Sequence, residues 1–424
     1  MTYGDGEEMK ILAAIFGLAL LGHLAAAPLP RPYVVEHYDV HLVPDLAQRR
    51  MAGEVSIRLT SRIERLDAVE LDAGDLEIVS VKEGAAARYF ERKAKLLIVV
   101  LAAPAYKNDH RTLTIRYTAV PAKGLVFFAD QIYTSFFTSD WMPSDDRPDD
   151  RATLRLTVDA PPRFQVAASG HRDGAAWVVD TPTPPFLFAF AAGDFAESTS
   201  KAEGVTLRVL GPADVFEQTA SAIRFLAGRS GHPFPGDTYT QVFTHGDVEQ
   251  EALGLTLLPE SYSRDLVQHP DNLWLLAHEL AHQWYGIAIP ARDWSDFWLS
   301  EGMATFLADA FLEQRYGKAR YDQEIAHSRQ IYDTLRTQGK DRPLFYTDWQ
   351  TPQQAGGSLP YHKGAWVLAE LRRLLTDEVF WRGLRSYTAA HWGGSVTSED
   401  LQAAMQAAYG KDLTKFFQQW VYGS

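Results

Sequence analysis

The chain has 424 residues, of which 46% are hydrophobic and 22% charged, a composition that indicates a folded protein of two or three domains and excludes a largely disordered one. It contains no cysteine, which excludes disulfides, cysteine-ligated metal sites and thiol nucleophiles, so any metal ion must be bound by His, Asp or Glu. The formal net charge of −13 argues against a nucleic-acid-binding protein, since such proteins generally present a basic face.

The first 27 residues have the pattern of a secretory signal peptide. Met9 and Lys10 precede an apolar run, residues 11–24, which is followed by three alanines. A short charged segment, an apolar core and small residues are typical of a signal for export. A buried N-terminal helix is the alternative, and the run is short for a membrane span. We therefore expect residues 1–27 to be a signal peptide and the protein to be periplasmic or extracellular, without stable membrane insertion after cleavage.

Residues 30–200 are predicted to form an antiparallel β-sheet domain. Polar and apolar residues alternate in several segments, as in strands with one solvated face. The clearest of these segments are residues 35–42, 53–59, 112–117 and 153–158. Residues 96–101 are continuously apolar, which predicts a strand that is buried on both faces.

Residues 201–424 are predicted to form a second, mainly helical domain, so that the fold class is α+β with two domains. Apolar residues recur at helical spacing through most of this half. The predicted helices are residues 213–228, 272–285, 298–316, 321–338, 361–375, 377–390, 398–409 and 413–421, and residues 238–243 are a predicted strand.

The most specific chemical signal is a His-Glu-x-x-His motif at His278, Glu279 and His282. Four residues advance a helix by about 400°, so both imidazoles lie on one face and can bind the same metal ion. Glu279 lies beside them and can act as a base without being a ligand. A chance match is the alternative, and a third ligand decides between the two. Eighteen residues separate His282 from Glu301, whose carboxylate completes the three protein ligands of a catalytic zinc site.

These motifs resemble those of the gluzincin aminopeptidases, the aminopeptidase N and leukotriene hydrolase type. The spacing matches, as does the Trp-Leu-x-Glu-Gly segment around Glu301. Tyr361–Gly364 is similar to the family's Tyr-x-Lys-Gly, and residues 143–148 with Arg151 resemble its Pro-Cys-x-Asp-x-Pro-x-x-Lys. The resemblance covers most of residues 30–424 and implies a compact member without the C-terminal domains of larger ones.

The resemblance implies a zinc-dependent metallopeptidase with a thermolysin-like catalytic domain over residues 201–424. One Zn²⁺ per chain would be bound by His278, His282 and Glu301. Glu279 would be the general base, and Tyr361 would donate a hydrogen bond to the oxyanion. The implied substrates are peptides, hydrolysed at their N-terminal residue.

The family's amine-binding motif is altered in this chain. Members carry Gly-x-Met-Glu-Asn, whose glutamate binds the substrate's α-amine. Alignment on the following Gly-Leu places Glu251 at that position, whereas alignment on the preceding glycine selects Glu249. We prefer Glu251, because it requires the smaller loop shift. The family's second amine anchor has no clear match, and Gln131 and Thr134 are weak candidates.

Three functions are therefore compatible with the sequence. The first is a zinc aminopeptidase. The second is a zinc hydrolase of altered specificity, such as an endopeptidase or an ester or epoxide hydrolase. The third is a non-catalytic peptide-binding protein on the same fold, against which the intact Glu279 and Tyr361 argue. The oligomeric state is left open.

Overall fold

The computed structural model describes residues 31–120, 123–349 and 352–423. The predicted signal peptide, residues 1–27, lies outside the described residues. The chain from Arg31 onward forms one compact unit, in which a β-rich part precedes a mainly helical part, as predicted. Among the described residues, no helix combines the length and hydropathy that a membrane span requires.

Three sheets build the N-terminal part of the described chain. Their strands, in chain order, are β1 (Tyr33–Asp45), β2 (Arg50–Ser61), β3 (Leu66–Asp72), β4 (Glu77–Glu83), β5 (Ala86–Ala87), β6 (Phe90–Lys93), β7 (Leu96–Ala105), β8 (His110–Ala119), β9 (Leu125–Phe127), β10 (Gln131–Thr134), β11 (Ala152–Val158), β12 (Gln165–Ala168), β13 (His171–Asp173), β14 (Ala176–Thr183) and β15 (Phe190–Gly193). The sheets have the orders β13-β14-β11-β1-β2-β8-β4-β5, β12-β15-β10-β9 and β3-β7-β6.

The segments with alternating polarity all form strands, as predicted. They lie in β1, β2, β8 and β11, and their buried residues alternate with more exposed ones. The pairing is antiparallel with one exception in these sheets, since β1 and β11 run parallel. Period-two burial fixes which face of a strand meets the core but not the direction of its neighbour, which explains the exception.

The prediction for residues 96–101 is wrong. They lie in β7, which buries one face only: Leu97 and Val99 are inaccessible, whereas Val100 is 42% exposed. β7 is the central strand of the small sheet β3-β7-β6, whose second face is open to solvent. The continuous apolar run does not require burial of both faces, because single exposed apolar residues are common on protein surfaces.

The second part combines a five-stranded sheet with helices. The strands are β16 (Glu197–Ala202), β17 (Val205–Leu210), β18 (Thr238–Thr244), β19 (Gln250–Ala252) and β20 (Leu255–Pro259), in the order β16-β17-β18-β20-β19. The helices are α1 (Phe216–Ser230), α2 (Glu260–Gln268), α3 (Trp274–Ala281), α4 (Trp298–Tyr316), α5 (Lys318–Thr337), α6 (Pro352–Ala355), α7 (Ser358–Leu375), α8 (Asp377–His391), α9 (Ser398–Tyr409) and α10 (Thr414–Trp420).

Every predicted helix is present, with ends that differ by a few residues, while α2, α6 and most strands of the five-stranded sheet were not predicted. The five-stranded sheet already begins at Glu197, and its β19 forms one edge. The division into residues 30–200 and 201–424 stays a prediction, because the described chain is a single compact unit.

Two glycines allow α4 and α7 to touch. A Cβ at Gly302 would lie 2.8 Å from the Cα of Gly364, and a Cβ at Gly364 would lie 2.8 Å from the Cα of Gly302. Glycine at both positions is therefore required for this backbone contact. The contact brings Glu301, next to Gly302, close to Tyr361, which lies one turn before Gly364.

Candidate metal centre and substrate site

The two histidines of the motif lie at the C-terminal end of α3. The amide of His282 donates to the carbonyl of His278 at 3.3 Å, so the helical turn continues through the second histidine. Glu301 lies in the first turn of α4, whose N-terminal segment packs beside α3. All three side chains are at least 97% buried.

The structure brings these three side chains together at one point. Nε2 of His278 and Nε2 of His282 are 3.1 Å apart. Oε2 of Glu301 lies 3.5 Å from Nε2 of His278 and 3.4 Å from Nε2 of His282. A tetrahedral zinc ion with ligands at 2.0–2.1 Å requires ligand–ligand distances of about 3.3–3.4 Å, which these distances approach. Among the described residues, no other group of three or more His, Asp or Glu side chains has its ligand atoms within 4.8 Å of one another.

Nδ1 of each histidine has a hydrogen-bond partner, which orients the imidazole ring. Nδ1 of His282 lies 3.3 Å from the carbonyl of Tyr285 and 3.2 Å from the hydroxyl of Ser300. Nδ1 of His278 lies 3.4 Å from the hydroxyl of Thr305. A proton on Nδ1 leaves the lone pair of Nε2 for a metal ion, and such partners fix the ring.

The donor set fits zinc. Oε2 of Glu301 is buried and has no hydrogen-bond partner among the described residues, so it is free to act as a ligand. Burial acts to raise the pKa of Glu301, but the neighbouring imidazoles of His282 and His278 lower it to about 2. Two imidazoles, which bind a metal ion in their neutral form, and one ionised carboxylate are a ligand set typical of catalytic zinc.

Aromatic rings enclose the first histidine. The indole of Trp274 stacks on the ring of His278 at a centroid distance of 4.8 Å, and the ring of Tyr361 stacks at 5.7 Å. Nε1 of Trp274 donates to the buried carboxylate of Asp309 at 2.9 Å. Sequence reasoning missed Trp274 and Asp309; the only signal was that Trp274 lies four residues before His278, on the same helical face.

Two further carboxylates, Glu279 and Glu251, face the same cluster. Burial raises the pKa of Glu279 well above its ordinary value, and the charge of Glu251 raises it further, although His282 opposes the shift. Burial also raises the pKa of Glu251, to about 7, and one oxygen of each carboxylate has no hydrogen-bond partner among the described residues. Buried carboxylates without partners are costly, so this cluster favours binding of cations.

The two possible positions for the amine-binding glutamate differ in their surroundings. Glu251 lies on β19 with 3% exposure, and the charges of His282 and Glu301 act on its pKa, which places it in the cluster. Glu249 precedes the strand and is exposed. The structure therefore brings Glu251 rather than Glu249 beside the metal ligands, while its role in binding an amine stays a prediction.

The side chains of Gln131 and Thr134 are used elsewhere. Oε1 of Gln131 accepts a hydrogen bond from the amide of His245 at 2.9 Å. The hydroxyl of Thr134 accepts from the amide of Phe190 at 3.0 Å and donates to its carbonyl at 3.3 Å. These bonds hold a loop and a strand in place, and a role of either residue in binding an amine stays a prediction.

A residue that sequence reasoning missed connects the metal ligands to the strand of Glu251. Gln283 is fully buried, directly after His282. Its Nε2 donates to the carbonyl of Ala252 at 2.9 Å, and its Oε1 accepts from the amide of Gly254 at 3.0 Å. Gln283 therefore fixes the hairpin of β19 and β20 to the end of α3.

Tyr361 lies at the edge of the cluster, as the resemblance implied. Burial raises the pKa of its hydroxyl well above 10, and the charges of Glu301 and Glu251 raise it further. The hydroxyl thus stays protonated and can donate a hydrogen bond. The next residue but one, Lys363, is buried and donates to the carboxylate of Asp341 at 2.8 Å, so it anchors α7 and does not face the metal ligands.

Comparison with known families gives two matches. Residues 216–420 match the peptidase family M1 domain, and residues 34–177 match the peptidase M1 N-terminal domain. The first match contains the three candidate metal ligands, His278, His282 and Glu301, as well as Glu279, Glu251 and Tyr361.

Individual relatives are similar at low sequence identity. A probable M1 family aminopeptidase 2 of Encephalitozoon cuniculi is 25% identical, over 93% of this chain and 51% of its own length. A probable aminopeptidase 1 of Sulfurisphaera tokodaii is 25% identical, over 91% of this chain and 52% of its own. The chain thus spans about half the length of the curated relatives it matches.

A solved structure shares the fold over almost its whole length. The M1 zinc metallopeptidase of Deinococcus radiodurans, in a variant with bound Tyr-Ser-Ala, superposes with a TM-score of 0.76 at 24% identity. The match covers 92% of this chain and 94% of that one. This likeness confirms the predicted fold class, a β-rich domain followed by a mainly helical catalytic domain.

Proposed function

Because the chain belongs to the peptidase M1 family, we propose that it is a zinc-dependent aminopeptidase, which removes N-terminal residues from peptides. The observation that carries the proposal is the buried convergence of His278, His282 and Glu301, with Glu279 and Glu251 beside them. This arrangement combines a zinc site, a base and an acidic group for a free amine.

Each residue around the ligands has a distinct task in peptide hydrolysis. Zinc supplies Lewis-acid chemistry when it is bound. Glu279, whose pKa is raised by burial, accepts the proton of the attacking water and returns it to the leaving amine. The protonated hydroxyl of Tyr361 donates a hydrogen bond to the oxyanion that forms on the carbonyl.

Glu251 accounts for the choice of the first peptide bond. Its buried carboxylate lacks a hydrogen-bond partner at one oxygen, and a substrate ammonium would supply one. A charge-assisted hydrogen bond of this kind favours peptides with a free N-terminus over acetylated ones. An endopeptidase or an ester hydrolase would show no such preference.

Metal analysis and one kinetic comparison test the proposal. The purified protein should contain one zinc ion, which a chelator removes together with activity. Glu279→Gln should retain the zinc and lose most turnover of an alanine linked to a chromogenic amine, whereas His278→Ala should lose the zinc. Near-normal turnover by Glu279→Gln, or full zinc content in His278→Ala, would contradict the assignment.

We also propose that the protein is exported and that residues 1–27 are removed. The charged segment, apolar run and alanines of the N-terminus support this proposal. N-terminal sequencing of the protein recovered outside the cytoplasm tests it. Recovery of the intact N-terminus from the cytoplasmic fraction alone would contradict export.

A further inference from the structure

Glu249 is an acidic residue beside the site to which the proposed mechanism gives no role. Its carboxylate has no ion pair or hydrogen bond with the described residues. It lies two residues before Glu251, just ahead of the strand β19 that carries Glu251. The charges of both glutamates act on the pKa of Glu279, which places Glu249 near the catalytic base as well.

A cavity of about 400 Å³ lies next to Glu249. Its walls include Trp274, whose ring also stacks on His278. Leu275 and Tyr262 supply apolar surface, and Asp265 adds a second carboxylate. No Lys, Arg or His is among the described residues that line it.

The nearby cation is already paired and lies outside the cavity. Arg264 donates to Glu260 at 3.0 Å. The carboxylate of Asp265 accepts from the amide group of Asn272 at 2.6 Å, so its charge is partly satisfied. Glu249 therefore remains as the carboxylate of this cavity that lacks a partner.

A peptide that follows β19 in the antiparallel direction passes Glu251 first and Glu249 next. β19 is an edge strand, so a peptide can lie antiparallel beside it. With its ammonium at Glu251, such a peptide runs toward Glu249, so its second residue lies on the side of Glu249 and the cavity.

We infer that Glu249 and this cavity bind a basic side chain, lysine or arginine, at the second residue of the substrate. The inference rests on the proposed function, since Glu251 must hold the amine. The apolar walls receive the methylene groups, and Glu249 pairs with the charged end. The enzyme would then act preferentially on peptides whose second residue is basic.

The expected preference is modest, because Glu249 is exposed and solvent screens its charge. Exposed ion pairs correspond to about a two- to fivefold effect on binding. We expect kcat/KM for Ala-Lys-Ala to exceed that for Ala-norleucine-Ala by this factor, and Ala-Glu-Ala to be cleaved most slowly.

The test compares these three tripeptides in the zinc-loaded protein and two variants. In Glu249→Gln, the ratio of kcat/KM for Ala-Lys-Ala to kcat/KM for Ala-norleucine-Ala should fall to about one. Asp214→Asn removes the same charge from an exposed residue that does not line the cavity, and it should keep the parent ratio of kcat/KM for the lysine and norleucine peptides. Equal ratios in the parent and Glu249→Gln would overturn the inference.

Two outcomes separate this inference from the proposed function. If Glu249→Gln slows all three peptides alike, then Glu249 binds the amine and the inference is wrong, although the peptidase activity stands. If no peptide is cleaved, the proposed function fails, and calorimetric titration of the same peptides into the zinc-loaded Glu279→Gln protein judges the inference. The dissociation constants should then show the same two- to fivefold preference for lysine, and equal constants would refute it.

Discussion

At the scale of single residues, the site is a cluster of buried groups that need cationic partners. Glu301, Glu279 and Glu251 are each at least 95% buried, and each has an oxygen without a hydrogen-bond partner among the described residues. Buried carboxylates without partners destabilise a fold, so three of them in one cluster indicate that bound ligands supply the missing partners. In the proposed function, a divalent metal ion and a substrate ammonium are these ligands.

Tyr361→Phe should lower kcat by about two to three orders of magnitude, as is typical for loss of one oxyanion donor. The raised pKa keeps the hydroxyl protonated, and the substitution removes only that hydrogen bond. Zinc content and KM should change little, because the phenyl ring can still stack on His278. Steady-state kinetics measure both constants, and a large rise in KM at unchanged kcat would show that Tyr361 shapes a pocket instead.

Glu251→Gln should lower kcat/KM on free-amine peptides about ten- to a hundredfold. A charge-assisted hydrogen bond contributes roughly 1.5–3 kcal/mol, and about 1.4 kcal/mol corresponds to a factor of ten. N-acetylated peptides should be poor substrates for the parent and lose little more. Rates on matched free and acetylated peptides measure this, and similar cleavage of both by the parent would exclude an aminopeptidase.

At the scale of elements, close contacts between helices set the distances within the site. The contact of Gly302 with Gly364 joins α4 to α7, and Gln283 joins α3 to the hairpin of β19 and β20. The first contact relates Glu301 to Tyr361, and the second relates the zinc ligands to Glu251. The Gly that follows Glu301 in the sequence motif thus has a packing role and no chemical one.

Gly302→Ala should destabilise the fold by about 1–3 kcal/mol, as overpacking commonly does. The new Cβ would lie 2.8 Å from the Cα of Gly364 and 3.0 Å from the carbonyl of Pro360, and both are backbone atoms that cannot easily move. Urea unfolding measures the free energy, and the remaining folded protein should show reduced kcat.

The matched control is Gly228→Ala, in α1. A Cβ there meets nothing within 4 Å, and the position is exposed. Alanine in a helix is favoured over glycine by about 0.5–1 kcal/mol, so this variant should be slightly more stable than the parent. Equal destabilisation by both substitutions would contradict the packing explanation.

At the scale of the whole molecule, the N-terminal sheets and the five-stranded sheet share an apolar interface. Tyr133 and Ala191 from the first part pack with Val242 and Leu257 from the second. The guanidinium of Arg151 donates to the carbonyl of Gly393 at 2.6 Å, at the end of α8. Such contacts join the two parts into one unit.

Asp150 should make the stability of this unit depend on pH. The side chain is 2% exposed, and neither carboxylate oxygen has a hydrogen-bond partner of normal geometry among the described residues. Burial raises its pKa to about 8, from roughly 3.9 in an unfolded chain. The folded state therefore binds this proton more tightly, and Asp150 destabilises the fold progressively as the pH rises from about 4 to about 8.

Asp150→Asn should accordingly stabilise the protein at pH 8 by about 1–3 kcal/mol, the cost of a buried polar group left unsatisfied. The gain should shrink toward pH 4, where both states of the parent are protonated. Urea midpoints at several pH values measure it, with Asp149→Asn at an exposed neighbouring position as the control. A gain that does not change with pH would exclude titration of Asp150 as its cause.

The sequence by itself determined the local features of this protein. Helical periodicity identified each main helix, because an amphipathic pattern depends only on which face of the helix is buried. The spacing of His278 and His282 determined that their rings share a helical face, and α3 has that form. Period-two alternation likewise identified the strands β1, β2, β8 and β11.

Only the tertiary structure decided which distant residues meet. The position of Glu251 rather than Glu249 in the cluster depends on the register of β19 against β20, in which Glu251 pairs with Thr256, and Glu249 would take its place only after a shift of two residues. The roles of Trp274 and Gln283 depend on contacts with Asp309 and with the hairpin, which are far away in sequence. A burial pattern along one segment holds no information about these partners, because it records only that a face is covered and not what covers it.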